Sequence, residues 1–252
     1  TKRALEILHE HGVLLGLATG RKINAAIHNK HQVWGLSFPF DIYSGMNGGQ
    51  LEDCFHEGIE ECYKLSTELM HEILDLAKGL DVTYMIYEED HMVANRIDDL
   101  VHASMQRNGT KVLLAEDDDR ICCAPNWNII FRYHDEIKPQ IDEMIAKCPK
   151  DKFIGVYTAP NIVEFMDTRL TKGVSIDLFC QRNGIPKEEV MVFGDMDNDV
   201  GLMEKGGWSV AMLNGCEATK QAADVITEYD CNHDGVGHYL FDHWIIPNGW
   251  DK

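Results

Sequence analysis

The chain has 252 residues, and its 42 acidic side chains against 23 Lys and Arg leave a formal charge of −19 at neutral pH, an excess that opposes any affinity for the phosphate backbone of nucleic acid. At 44% hydrophobic and 26% charged residues it has the composition of a globule with a real core, which excludes the disordered, collagenous and disulfide-stapled classes. No run approaches the ~18 uninterrupted apolar residues of a membrane span, so no membrane partner is expected.

Taken in chain order, Ala4, Leu5 and Leu8 recur at helical spacing and Gly12 is a natural stop, so a helix over 1–11 comes first. Residues 13–18 are apolar on both faces, as in a strand covered from both sides, and end in Thr19-Gly20-Arg21. A polar helical stretch is expected from about Lys22, and 41–44 reads as a short strand leading into Gly45-Met46-Asn47-Gly48-Gly49. Between about 51 and 167 the pattern changes. Amphipathic helices over 66–78 and 134–147 are separated and followed by β-rich runs at 82–87, 129–133, 153–157 and 162–166. From 168 the alternation resumes: a helix over 173–183 closed by Gly184, a strand at 190–193, a helix after Asp199, a strand at 209–212 and a helix after Cys216. The fold class is therefore α/β, a Rossmann-like parallel-sheet core made of 1–50 and 168–252 with an α+β module inserted at 51–167.

The eight cysteines form no C-x-x-C pair, which suits reduced thiols in a cytoplasmic protein better than a zinc knuckle or a redox dithiol. Vicinal Cys122 and Cys123 are expected as buried thiols. His9, His11, His28 and His31 lack a third ligand at metal spacing, and surface or helix-end positions are expected. Tyr84, Tyr87, Trp127 and Tyr157 could stack on a sugar, but aromatic residues on half-buried strands are expected to pack.

Chemistry concentrates in Gly194-Asp195-Met196-Asp197-Asn198-Asp199, at the end of an apolar strand and the head of a helix. Three carboxylates within five residues repel one another, and at least one pKa must rise unless a cation neutralises them. Oxygen-only donors suit Mg²⁺, which keeps several waters and shares a phosphate with its substrate. A phosphoryl group in transfer also needs a hydroxyl, backbone N–H donors and an ammonium, and Thr19, Gly20 and Lys172 supply those types. Taken singly, Thr19 reads as a turn residue, Lys172 as a solvated lysine and the acidic run as a helix cap. The combination favours the site.

In this order the motifs resemble the haloacid dehalogenase superfamily, specifically its Cof-type phosphatases. Leu17-Ala18-Thr19-Gly20-Arg21 is similar to that family's second motif, Thr171-Lys172-Gly173 to the third and Gly194–Asp199 to the fourth, while Val210–Gly215 and Asp234-Gly235-Val236 match its tail pattern. The resemblance implies catalytic roles for Lys172 and Thr19, phosphate or substrate contacts for Gly20, Arg21, Asn47 and Asn198, and Mg²⁺ held by Asp195 with support from Asp199. It also implies that the insert is a cap that closes over the site and selects the substrate. The substrate would be a small phosphorylated metabolite, a sugar phosphate for preference. The family's first motif, D-x-D-G-T, whose first aspartate attacks phosphorus, does not occur here. A strand bearing it is expected upstream of Thr1, and the chain as it stands is expected not to turn over. The alternatives are a non-catalytic phosphometabolite-binding relative and a phosphomutase. A missing central strand also predicts that 13–18 and 190–193 do not pair with each other. The oligomeric state is left open.

Overall fold

A computed structural model describes residues 1–88 and 90–252, with the side chains of residues 107 and 108 outside that description. Helix α1 (Lys2–Glu10) buries Ala4, Ile7 and Leu8 and stops at Gly12, whose positive φ an L side chain would resist. Strand β1 (Gly16–Ala18) is shorter than the apolar run that announces it, because the Leu15 N–H donates to the Asp41 carboxylate at 2.8 Å instead of entering a ladder. The polar stretch expected as one helix is two short ones, α2 (Ala25–His28) and α3 (Lys30–Val33). The Asn24 carboxamide caps α2 by accepting from the Ala26 and Ile27 N–H groups, and Asn29 separates the pair. Strand β2 (Ile42–Gly45) lies parallel to β1, and β3 (Gln50–Asp53) and β4 (Glu60–Glu61) follow antiparallel, giving a sheet in the order β1-β2-β3-β4.

Next come α4 (Thr67–Leu76), capped by Ser66, β5 (Thr83–Tyr87), β6 (His91–Ala94), α5 (Asp99–Asn108), β7 (Lys111–Leu114), α6 (Asp118–Ile121), β8 (Asn128–Arg132), α7 (Lys138–Lys147), β9 (Phe153–Ala159) and β10 (Ile162–Asp167). These strands form one sheet, β7-β6-β5-β8-β10-β9, in which only β6 and β7 run parallel. Its core includes Met70, Ile73, Phe131, Phe153 and Phe165, all without exposed surface. Trp127 is buried, and the Tyr84 and Tyr157 hydroxyls donate to Asp118 and Asp142, so these aromatics pack as expected. Cys122 and Cys123 part company: the first is buried, and burial beside Asp118 pushes its thiol up to about 12, whereas the second is exposed, correcting the expectation of two buried thiols.

The last third consists of α8 (Lys172–Asn183), closed by Gly184, β11 (Met191–Gly194), α9 (Val200–Lys205), β12 (Trp208–Ala211), α10 (Glu217–Ala222), β13 (Val225–Ile226) and α11 (Gly235–Leu240). Strands β11, β12 and β13 pair in parallel in that order. Beyond α11 the chain folds back so that Ile245 is fully buried and Trp250 stacks on His11 at 4.3 Å. No described helix is long and apolar enough to cross a membrane.

Two compact units result, one of residues 1–62 with 170–252 and one of 63–169. The first extends past the boundary read at 50 because β3 pairs with β2 and carries β4 with it.

Within the first unit the parallel strands fall into two sheets. Leu17, Met191 and Phe193 pack on the cluster that holds Ala4, Leu15 and Tyr43, and Ala18 packs on the cluster of Val192, Leu202 and Met203, so β1 and β11 share a core. They do not pair. Among the described residues, β1 and β11 each end their sheet, leaving a row of backbone N–H and C=O groups without a ladder partner on one edge. A cavity of about 330 Å³ borders β1, lined by Leu17, Ala18, Thr19, Arg21, Ile27 and Trp34 among others.

Candidate active site

In open α/β sheets ligands bind at the carboxyl ends of the strands. At those ends in the first unit lie Thr19 after β1, the 46–49 turn after β2 and the acidic loop after β11, with the start of α8 beside them. The turn is held to Thr19 by backbone: the Asn47 N–H donates to the Thr19 carbonyl at 3.1 Å and the Met46 N–H to the Arg21 carbonyl at 3.0 Å. Met46 and Asn47 both have positive φ, and Gly48 follows at φ +96. A Cβ on Gly48 would stand 2.1 Å from the carbonyl oxygen of Thr171, the residue just before α8. Gly48→Ala should therefore lose about 3 kcal/mol or more of stability in chemical denaturation, since both the dihedral and the contact oppose it. An unchanged midpoint would show that turn and helix start can separate freely.

Lys172 opens α8 and is buried, with its Nζ donating to Asp199 Oδ1 at 2.6 Å. The other oxygen of Asp199 accepts from the Asp195 and Met196 N–H groups at 2.9 and 3.0 Å. Asp199 is thus fully engaged, pairing the ammonium and fixing the loop. Asp195 is different: burial foremost, then the charge of Asp199, push its carboxyl above the ordinary carboxylate range, with Lys172 opposing. A hard cation would remove that penalty, and an oxygen donor set fits Mg²⁺. Among the described residues no three His, Cys, Asp or Glu side chains gather closely enough to hold a metal by themselves. The remaining ligands would have to be water, phosphate or groups beyond this set.

Asn198 Nδ2 donates to Asn47 Oδ1 at 3.0 Å, joining the loop after β11 to the turn after β2. Gly20 faces the same Asn47 amide, within 3.1 Å of where its Cβ would be. Thr19 Oγ1 accepts from the Arg21 N–H at 3.2 Å, and the Arg21 side chain is exposed on the cavity beside β1. The eight candidate residues therefore form two linked groups, Lys172–Asp199–Asp195 and Thr19–Gly20–Asn47–Asn198, with the Arg21 side chain outside both. Sequence reasoning missed the polar groups that brace them. Ser175 Oγ lies 2.5 Å from Ser44 Oγ, tying α8 to β2 across 131 residues. Thr219 and Cys216 reach the acidic loop from α10. A lone serine or threonine in a helix carries no local signal of such a partner.

Comparison with known proteins gives the family and the fold. The family of haloacid dehalogenase-like hydrolases matches residues 1–240. A 5-amino-6-(5-phospho-D-ribitylamino)uracil phosphatase of Bacillus subtilis is 25% identical over 224 residues, 87% of this chain and 73% of that protein. A protein of Mycoplasma genitalium named as a phosphatase is 36% identical over 78 residues, which cover 31% of this chain and 28% of that protein's length. Among solved structures, a haloacid dehalogenase-like hydrolase from Bacteroides thetaiotaomicron superimposes with a TM-score of 0.77 at 21% identity, covering 96% of this chain and 90% of the other. A subclass IIB sugar phosphatase gives 0.78 at 22% identity, covering 98% and 90%. At such identities these structures speak for the fold.

Proposed function

The chain belongs to the haloacid dehalogenase-like hydrolases, and from that premise we propose that it serves a Mg²⁺-dependent phosphatase of small phosphorylated metabolites, sugar phosphates for preference. One observation carries the reading: a buried ammonium, a carboxylate that resists its own charge, and the Thr19 hydroxyl all lie at the carboxyl ends of parallel strands. The names of the ribitylamino-uracil phosphatase and the sugar phosphatase support the substrate class.

Bound Mg²⁺, with Asp195 as ligand and Asp199 behind it, would neutralise charge on the phosphoryl oxygens. The Thr19 hydroxyl and the Gly20 N–H would donate to one of those oxygens, and the Lys172 ammonium would offset the charge of another. Asn47 and Asn198, locked to each other, would orient the ester, with Arg21 meeting the rest of the substrate. In the family resembled the nucleophile is an aspartate, and here it would sit on a further strand seated between β1 and β11. The two open edges support that placement, because a strand seated parallel to both neighbours would end beside Thr19 and Asp195. Its carboxylate oxygen would bond to phosphorus as the ester P–O bond breaks and the alcohol leaves with a proton from the second aspartate of the D-x-D-G-T motif, and water, giving a proton back to that aspartate, would then release phosphate from the aspartyl-phosphate. The 63–169 unit would carry substrate selection, the role the family resemblance gives to the insert. Reduced cysteines fit a cytoplasmic setting.

The test is phosphate release from a panel of sugar and polyol phosphates by the protein, with and without Mg²⁺. Mg²⁺-dependent hydrolysis is the expected result. Saturable binding of the esters without turnover would instead favour a binding protein, and transfer to a sugar hydroxyl would mark a phosphomutase.

A further inference from the structure

Helix α10 begins next to the acidic loop, and three of its groups hold that loop. The Cys216 N–H donates to the Asp195 carbonyl at 2.8 Å, the Thr219 hydroxyl to the Met196 carbonyl at 2.6 Å, and the Cys216 thiol to Asp197 Oδ1 at 2.9 Å. Thr219 has no exposed surface, and its hydroxyl lies 3.1 Å from the Cys216 sulfur, so the two side chains brace each other. The N–H groups of Asp195 and Met196 are meanwhile taken by Asp199 Oδ2.

The Asp195–Met196 peptide is thus gripped from both sides, its N–H by Asp199 Oδ2 and its C=O by the Cys216 N–H, and the next peptide is tied to α10 through the Met196 carbonyl. A backbone held in this way resists rotation about the Asp195 Cα, and part of the hold on the stem of the Asp195 carboxylate comes from the distant start of α10. We propose that Thr219, seconded by Cys216, is a positioning residue that aims the Asp195 carboxylate. This rests on the reading of Asp195 as a cation ligand. The hydroxyl is one of two donors to the Met196 carbonyl, the other being the Asp199 N–H at 2.8 Å inside the same turn; without the hydroxyl the carbonyl keeps that local bond, but the loop loses its side-chain tie to α10.

Four variants of the protein test the idea by two readouts other than turnover. Thr219→Val keeps the shape and removes the hydroxyl, Thr219→Ser keeps the hydroxyl and removes the methyl, Cys216→Ala removes the thiol alone, and Asp195→Asn removes the ligand. The readouts are amide hydrogen exchange over 194–199 and Mn²⁺ affinity by calorimetric titration. Thr219→Val should speed exchange of the Asp195 and Met196 amides about tenfold and weaken Mn²⁺ by a similar factor, the value of one buried hydrogen bond. Thr219→Ser should stay within about twofold of the parent, and Cys216→Ala should fall between the two. Unchanged exchange in Thr219→Val overturns the proposal, and so does Thr219→Ser behaving like Thr219→Val, which would make the methyl the important group. Should Asp195→Asn keep the parent's Mn²⁺ affinity, the metal assignment fails, while exchange still decides whether α10 holds the loop.

Discussion

Asp195→Ala should lower Mg²⁺-dependent turnover by about 10³-fold or more, the scale on which removing a group that stabilises transition-state charge acts. The side chain is half-buried at the carboxyl end of β11, with its backbone pinned by Asp199 and by α10. Nothing else in the loop can replace it. Asp199 is spent on Lys172 and two N–H groups, and one oxygen of Asp197 accepts from Cys216, so Asp197→Ala should cost far less. Equal turnover in Asp195→Ala and parent would remove the cation from this loop. A companion measurement needs no substrate. Because the fold raises the Asp195 pKa, the native state favours its proton, and the parent loses stability as pH rises from the ordinary carboxylate range through the raised value. Without divalent ions, Asp195→Asn should therefore be as stable as the parent at acid pH and more stable near neutrality. Added Mg²⁺ should close the gap by stabilising the parent alone. A gap that widens toward acid pH would contradict the assigned direction.

Lys172→Met should be the most damaging single change to the fold of the site, costing about 3–5 kcal/mol in chemical denaturation as well as nearly all turnover. Both partners of the Lys172–Asp199 pair are at most one-tenth exposed, so removing the ammonium strands a carboxylate in the interior. The diagnostic is the double variant Lys172→Met/Asp199→Asn. It should regain part of the lost stability, because the carboxylate stranded at position 199 is gone, yet regain no turnover, because the phosphoryl oxygens still lack their counter-charge. If the double variant is less stable than Lys172→Met, the pair is not the source of the loss.

How much of this was legible in the sequence depends on whether the signal is local. Helix α8 shows its start and stop in Lys172 and Gly184, and β11 shows as an apolar run ending in glycine and aspartate. Helix α5 escaped notice although Asp98 caps it, since the apolar residues of its face, Leu100, Val101 and Met105, sit among acids and polar groups. Strand β7 is mostly exposed at a sheet edge, where neither alternation nor an apolar run is required. The break between α2 and α3 is written in Asn24 and Asn29, yet two asparagines in a polar stretch look like surface. In the site, the chemical groups were legible as motifs. Their bracing by Ser44, Ser175, Cys216 and Thr219 was not, because each bond joins distant segments through side chains common on any helix or strand.

The shared use of Asp199 makes two binding events interdependent. Its one carboxylate pairs the group that would meet an anion and, through two N–H groups, holds the loop that would meet a cation. An anion that draws Lys172 toward itself leaves Asp199 less neutralised, and the negative potential felt at Asp195 grows. A cation there is then held more tightly, and by thermodynamic reciprocity the cation must tighten the anion by the same factor. Inorganic phosphate and Mg²⁺ should accordingly bind cooperatively.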